Sequence, residues 1–330
     1  MQENYRLFGA YRLFLAWLVL TSHANAYLPG WVGQLALGNI GVFSFFVLSG
    51  FVIVEACDRF YRGAPHRFFL NRFLRIYPTY WGACVLAVAV YLALGHQDLS
   101  GSLVQVVANL SIVYSPPGVF MWISIVWAVA IELRFYLIAG LVMGLAQRKP
   151  GIAVPVLGAA GCTALLGYIV TYAYGYQILG TFRHAPYFVL GATGYFAIAY
   201  SSTRAYFLAI IAALMSAHSF WQYHAATPDL SGLKLLLFAS SVCAMLLLAR
   251  TPVSSGSVPN DKKLGDFSYP LYLAHWPAVF LVENASTMRG GAGYALVVLI
   301  SIVFSTLMVV GIDRPLMNLR DRVRRRRLYA

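Results

Sequence analysis

The sequence predicts an all-α polytopic membrane protein of about ten transmembrane helices with both termini in the cytoplasm. Three observations carry this. The 330 residues are 60% hydrophobic with a mean hydropathy of +0.70. Only 11% are charged, against about 25% in a soluble domain. Long stretches also lack Asp, Glu, Lys and Arg altogether, the longest running from Leu13 to Val54. A spanning helix takes about 20 apolar residues, so the roughly 198 apolar residues fill at most about ten spans. That excludes a soluble enzyme, a disordered chain and a disulfide scaffold. It leaves no room for an appended soluble catalytic domain, so 1–330 reads as a single integral membrane domain with an Arg-rich cytoplasmic tail at 314–330.

Taken in order, the first span is placed at 8–27. Its apolar run is interrupted by Arg12 and has no small-residue cleavage site, so it is read as a span and not a signal peptide. Splitting the charge-free runs at Gly, Pro, Asn and Ser clusters places the next two spans at 36–56 and 77–95. The stretch Leu103 to Tyr114 is apolar but short, and Ser115-Pro116-Pro117 breaks it. It is expected to be an interfacial or re-entrant piece. The remaining spans are placed at 119–145, 152–172, 181–200, 205–221, 231–250, 266–284 and 292–312.

Charge asymmetry tests this layout. With both termini inside, twenty of the 24 Lys and Arg residues fall on the cytoplasmic side and three (Arg183, Lys234 and Arg289) on the outer side. Arg134 falls within a span. This is the positive-inside pattern, and it requires an even number of spans. The end of the chain, RDRVRRRR, is expected to anchor that topology on anionic lipid headgroups and not to bind nucleic acid. The four cysteines, Cys57, Cys84, Cys162 and Cys243, form no C-x-x-C pair and are expected to be small buried hydrophobes.

In a bilayer the informative side chains are the ionisable ones, because each costs several kcal/mol at mid-membrane. His23, Glu132 and His275 are the three that stand out. Arg12 and His23 are eleven residues apart, within about 20° of three whole helical turns, so they share a face about 16 Å apart. That face offers a cation near the cytosol and a titratable imidazole deeper in, which suits a phosphate-bearing ligand with a reactive end carried inward. An unpaired Glu132 would be protonated. Arg134 is two residues on and faces away, so a basic group on another helix is expected, and His23 is the candidate. Such a pair would prepare the imidazole to deprotonate a hydroxyl. Arg72 and Arg75 are i,i+3 neighbours and suit bidentate phosphate contacts or lipid headgroups equally. Tyr77, Pro78, Tyr80 and Trp81 read as an interfacial aromatic belt. Ser49, before Gly50, reads as a helix–helix contact. No G-x-S-x-G, GxxxxGK[ST] or H-E-x-x-H motif occurs, and no clustered His/Cys set for a metal.

Five landmarks in order resemble the acyltransferase family 3 of integral membrane acyltransferases. They are Arg12-x10-His23, FSFFVLSGF, RFLRIYPTYW with its Arg72-x-x-Arg75, VWAVAIELRFYL with Glu132, Phe135 and Tyr136, and LGDFSYPLYLAHWP ending beside His275. RHAPYFVLG, from Arg183 to Gly191, is similar to a less distinctive family stretch. The resemblance implies an acyl-CoA donor bound from the cytoplasm and acyl transfer to a hydroxyl, commonly of a cell-surface glycan. It implies His23 as the catalytic histidine, Arg72 and Arg75 as donor-binding residues with Arg12 completing the span-1 motif, and Glu132 as the span-4 carboxylate. Many members carry two adjacent acids there. Leu133 cannot supply the second, so a role needing two carboxylates is not implied.

The expected protein is thus a multi-pass O-acetyltransferase of the bacterial cytoplasmic (inner) membrane. Acetyl-CoA is its donor, a glycan or glycolipid its acceptor, and no metal takes part. Arg183, His275, Tyr136 and Ser49 are the candidates for acceptor or cavity contacts, with His275 read as a structural or cavity histidine. Direct attack and a transient acyl-histidine both fit. The rival enzyme acylates a small lipophilic molecule such as a macrolide. The rival from another class is a proton-coupled transporter, for which no inverted repeat is found.

Overall fold

A computed structural model describes residues 7–96, 99, 102–113, 116, 118–148, 153–174, 182–224, 230–251 and 257–325. Ser115 and Pro117 of the predicted break, the first residues of the predicted fifth and sixth spans, and Arg326 and Arg327 of the tail lie outside them. Among the described residues the protein is helical and contains no strand. The helices are α1 Phe8–His23, α2 Gly30–Gln34, α3 Leu37–Arg59, α4 Pro65–Ala93, α5 Leu103–Ser111, α6 Val126–Arg148 and α7 Ala153–Tyr174. They continue with α8 Ala185–Tyr200, α9 Thr203–Tyr223, α10 Ser231–Arg250, α11 Val258–Ala285, α12 Gly290–Met308 and α13 Arg314–Arg325.

Every predicted span overlaps one of these helices. Among the described residues, seven helical stretches are long and apolar enough to cross a membrane: Gly30–Arg59, Pro65–Ala93, Val126–Arg148, Ala153–Tyr174, Thr203–Tyr223, Ser231–Arg250 and Gly290–Val323. Of the helices that match predicted spans, three fall short of that standard, for identifiable reasons. α1 and α8 have 16 residues each, about 24 Å of rise. α11 is longer, but Ser268, Tyr269, Pro270, Tyr272, His275 and Trp276 dilute its apolarity.

Boundaries differ where side chains compete for backbone groups. α4 begins at Pro65 and not near 77, with proline at the start, where its missing N–H costs nothing. α6 begins at Val126 and not at 119, because the Trp122 N–H is taken by Asn109 Oδ1 (2.7 Å) and the Ile125 carbonyl accepts from the Tyr272 hydroxyl (2.9 Å). Cys162 and Cys243 are exposed, against the expectation, whereas Cys57 and Cys84 are buried. The predicted aromatic belt has a structural role as well. Tyr80, Trp81 and Tyr77 of α4 donate to the carbonyls of Asn109, Leu110 and Ser111, the groups that the end of a helix leaves without partners. At nine residues, about 14 Å, α5 is too short to span.

The chain forms two compact units. The first comprises residues 1–41, 72–130 and 252–322, and the second 42–71, 131–251 and 323–330. In the first, α1 packs on α11 and α11 on α12; in the second, α8 packs on α9 and α7.

Candidate active site

In the first unit, glycines let α1 and α11 meet backbone to backbone. A Cβ on Gly9 would lie 1.8 Å from the Asp261 carbonyl oxygen, and one on Gly265 would lie 3.0 Å from the Gly9 Cα. At this crossing the Asp261 carboxylate accepts from the N–H groups of Gly9 (2.8 Å) and Ala10 (2.7 Å). It satisfies two donors that the first turn cannot satisfy itself, and it sets negative charge at the positive end of the helix dipole.

Fourteen residues further along both helices, from 9 to 23 and from 261 to 275, His23 meets His275. The equal steps mean that the helices run parallel. His23 Nδ1 lies 2.9 Å from the Val19 carbonyl and 3.2 Å from His275 Nε2. His275 is 0% exposed, and its own Nδ1 lies 3.3 Å from the Leu271 carbonyl. The two rings are 5.1 Å apart, and Trp276 stands edge-on to His23 at 5.6 Å. Trp276 is itself tied down. Its indole N–H donates to the Tyr91 hydroxyl (3.2 Å), which donates to the Trp122 carbonyl (2.9 Å).

The predicted arginines of the phosphate end belong to the same unit. Arg12 shares one unbroken helix with His23, so the three-turn spacing stands. Arg72 and Arg75 lie half-buried in α4. Arg320, from α13, lies in the field of both, together with Asp266 and Asp313. Asp313 accepts from the Thr79 hydroxyl at 2.5 Å. The sequence reading missed Arg320 by treating it as part of a charged tail. Its signal was the i, i+4, i+7 spacing of Asp313, Met317 and Arg320, which puts all three on one face.

Glu132 belongs to the second unit. The hydroxyls of Ser49 and Tyr136 both donate to its Oε1. Ser49 is thus more than the packing residue expected, and the glycine beside it packs closely on α8. A Cβ on Gly50 would sit 2.1 Å from the Phe188 carbonyl oxygen, and one on Gly191 would sit 1.8 Å from that of Val47. The glycines of FSFFVLSGF and RHAPYFVLG therefore form one crossing of α3 and α8. Phe188 stacks on Phe135 (4.3 Å) and Phe46 (4.8 Å) around it. Arg183 lies over the Tyr172 ring at 5.5 Å, and its carbonyl accepts from Ser219.

The expected partners thus sort by unit. His23 meets His275, Arg72 and Arg75 share their field with Arg320, and Glu132 meets Ser49 and Tyr136. The expected pairing of His23 with Glu132 joins residues of different units, and each is held within its own. Asp261 and Trp276 were not singled out in the sequence. Among the described residues, no three His, Cys, Asp or Glu side chains converge as metal ligands.

A family model described as an acyltransferase domain matches residues 10–313. The exopolysaccharide production protein ExoZ of Rhizobium meliloti (strain 1021) is 29% identical over 310 residues, covering 88% of this chain and 93% of that protein. No solved structure matches.

Proposed function

The chain belongs to the acyltransferase family 3 of integral membrane proteins, and from that premise we propose that it moves acetyl from cytoplasmic acetyl-CoA to a sugar hydroxyl of a bacterial surface or secreted polysaccharide, or of its lipid-linked precursor. The printed name of the Rhizobium relative ties that protein to exopolysaccharide production, which supports a glycan acceptor here.

The observation that carries the mechanism is the Val19 carbonyl, 2.9 Å from His23 Nδ1. A carbonyl only accepts, so the imidazole proton sits on Nδ1 and the lone pair on Nε2. Nε2 takes the proton of the acceptor hydroxyl as that oxygen attacks the thioester carbonyl carbon. The C–S bond then breaks, and the CoA thiolate takes the proton from Nε2. Arg12, Arg72 and Arg75 hold the CoA phosphates, and the third guanidinium that Arg320 brings into the field of the Arg pair supports that role. Glu132, held by two hydroxyls, is the carboxylate of the reaction. The ten-span arrangement with both termini cytoplasmic in the bacterial inner membrane belongs to the same proposal. Parallel α1 and α11 support it, since the first and ninth spans of an alternating chain run the same way.

The test is turnover of radiolabelled acetyl-CoA in proteoliposomes supplied with the surface-glycan fraction of the source cells. His23→Ala is expected to lower kcat by about 100-fold or more; undiminished turnover in that variant removes His23 as the base. Mass spectrometry of surface glycans with and without the gene tests the acceptor. Unchanged acetyl content redirects the search to a small lipophilic acceptor, and absence of any CoA-dependent turnover points to transport.

A further inference from the structure

We infer that His275 is a positioning residue for His23: it accepts the His23 Nδ1 proton and so fixes the tautomer that turns the Nε2 lone pair toward the acceptor hydroxyl. The inference rests on the proposed role of His23 as base.

The proton positions follow from the partners. His275 Nδ1 lies 3.3 Å from the Leu271 carbonyl, which only accepts, so His275 carries its proton on Nδ1 and its lone pair on Nε2. That lone pair lies 3.2 Å from His23 Nδ1. His23 Nδ1 must then bring the proton, the same answer that the Val19 carbonyl requires independently. One N–H is shared between two acceptors, and the chain of donors runs one way, from His23 to His275 to Leu271. In both rings the Nδ1 assignment is set by a carbonyl one helical turn back.

Val19 alone does not hold the ring. Its carbonyl is one turn back on the same helix and also serves the helix ladder, so it leaves the imidazole tied only to α1. His275 ties it to α11. It does so from a site with no exposed surface, beside Trp276, which is itself anchored through Tyr91. The pairing also grows stronger when it is needed. As Nε2 gains a proton, His23 becomes a cation, and its Nδ1–H then makes a charge-assisted bond to a neutral imidazole nitrogen. His275 accepts no acyl group and releases no proton. It acts only through His23.

Kinetics of the full chain in proteoliposomes with labelled acetyl-CoA test this. His275→Leu is expected to lower kcat by about 10- to 100-fold, as loss of an orienting partner does, while KM for acetyl-CoA stays within about twofold. His275→Gln offers a carbonyl oxygen near the place of Nε2 and is expected to recover most of the lost kcat. Wild-type kcat in His275→Leu, or no recovery in His275→Gln, overturns the inference. A measurement on the unaltered protein stands in if the variants do not fold. In 15N-histidine spectra, with the His23 signals assigned by their loss in His23→Ala, the proton is expected on Nδ1 with a 15N–15N coupling across the hydrogen bond to His275 Nε2; a proton on Nε2, or no such coupling, overturns the inference. The two claims fail separately. Full turnover in His23→Ala removes the base itself, whereas an inactive His23→Ala beside a fully active His275→Leu removes only the positioning role.

Discussion

Two helix crossings in this protein use the same device for different ends. In the first unit, Gly9 and Gly265 bring α1 against α11; in the second, Gly50 and Gly191 bring α3 against α8. Both remove Cβ atoms that would strike a backbone, as small residues do wherever membrane helices pack closely. The first crossing is fastened by groups that can carry charge or titrate, Asp261 at one end and His23 with His275 at the other. The second is fastened by backbone contact, stacked aromatic rings and the Asp58 carboxylate of α3, which accepts from the Tyr195 and Tyr200 hydroxyls of α8 and pairs with Arg62; beside it, Glu132 of α6 accepts from the hydroxyls of Ser49 and Tyr136. A base needs its own proton held so that its lone pair is presented. A carboxylate within a helix bundle needs donors. Each crossing supplies what its ionisable group lacks.

Substitutions at four positions break or sharpen this contrast, in falling order of effect. Gly191→Ala drives a methyl group to 1.8 Å from the Val47 carbonyl oxygen, against backbone that cannot turn aside. A loss of about 3 kcal/mol or more is expected, read by detergent-denaturation titration of the purified protein. A loss smaller than that of the next variant would show that the second crossing is looser than described. Asp261→Ala uncaps α1 and is expected to cost about 1–2 kcal/mol, with Asp261→Asn retaining part of it through its remaining carbonyl oxygen. Equal losses in the two would mean that the charge, and not the acceptor geometry, fastens this end. Ser49→Ala and Tyr136→Phe are each expected to cost about 1 kcal/mol or less. Because both hydroxyls serve Glu132 Oε1, the double variant should depart from the sum of the singles. Strict additivity would show that they do not share the oxygen.

What the sequence made legible follows from the solvent. Apolar runs show the helices, and a histidine or glutamate inside such a run is visible because the bilayer makes it costly. His23, Glu132 and His275 were found that way, and each sits at a polar contact in the structure. Partnership was not legible. His23 was expected to look to a carboxylate; within its unit it meets an imidazole 252 residues away, and no local spacing encodes that distance. Ser49 was read as a helix contact, but its hydroxyl bond goes to Glu132, 83 residues away, and no local spacing encodes that partner. Arg320 was hidden by its neighbours, because a run of arginines looks alike along the chain while only one face of α13 turns toward Arg72 and Arg75. Helix ends were misjudged where a side chain takes a backbone group out of the ladder, as Asn109 does at Trp122.

The matched fourteen-residue steps on α1 and α11 also bear on how the protein is made. α1 leaves the ribosome well before α11, since Asp261 and His275 each follow their α1 partners by 252 residues. Until α11 arrives, the start of α1 has no carboxylate on it and His23 has only its own helix for support. A nascent or truncated chain therefore carries the histidine without the setting that prepares it. Both ends of α1 are completed together, by the insertion of α11.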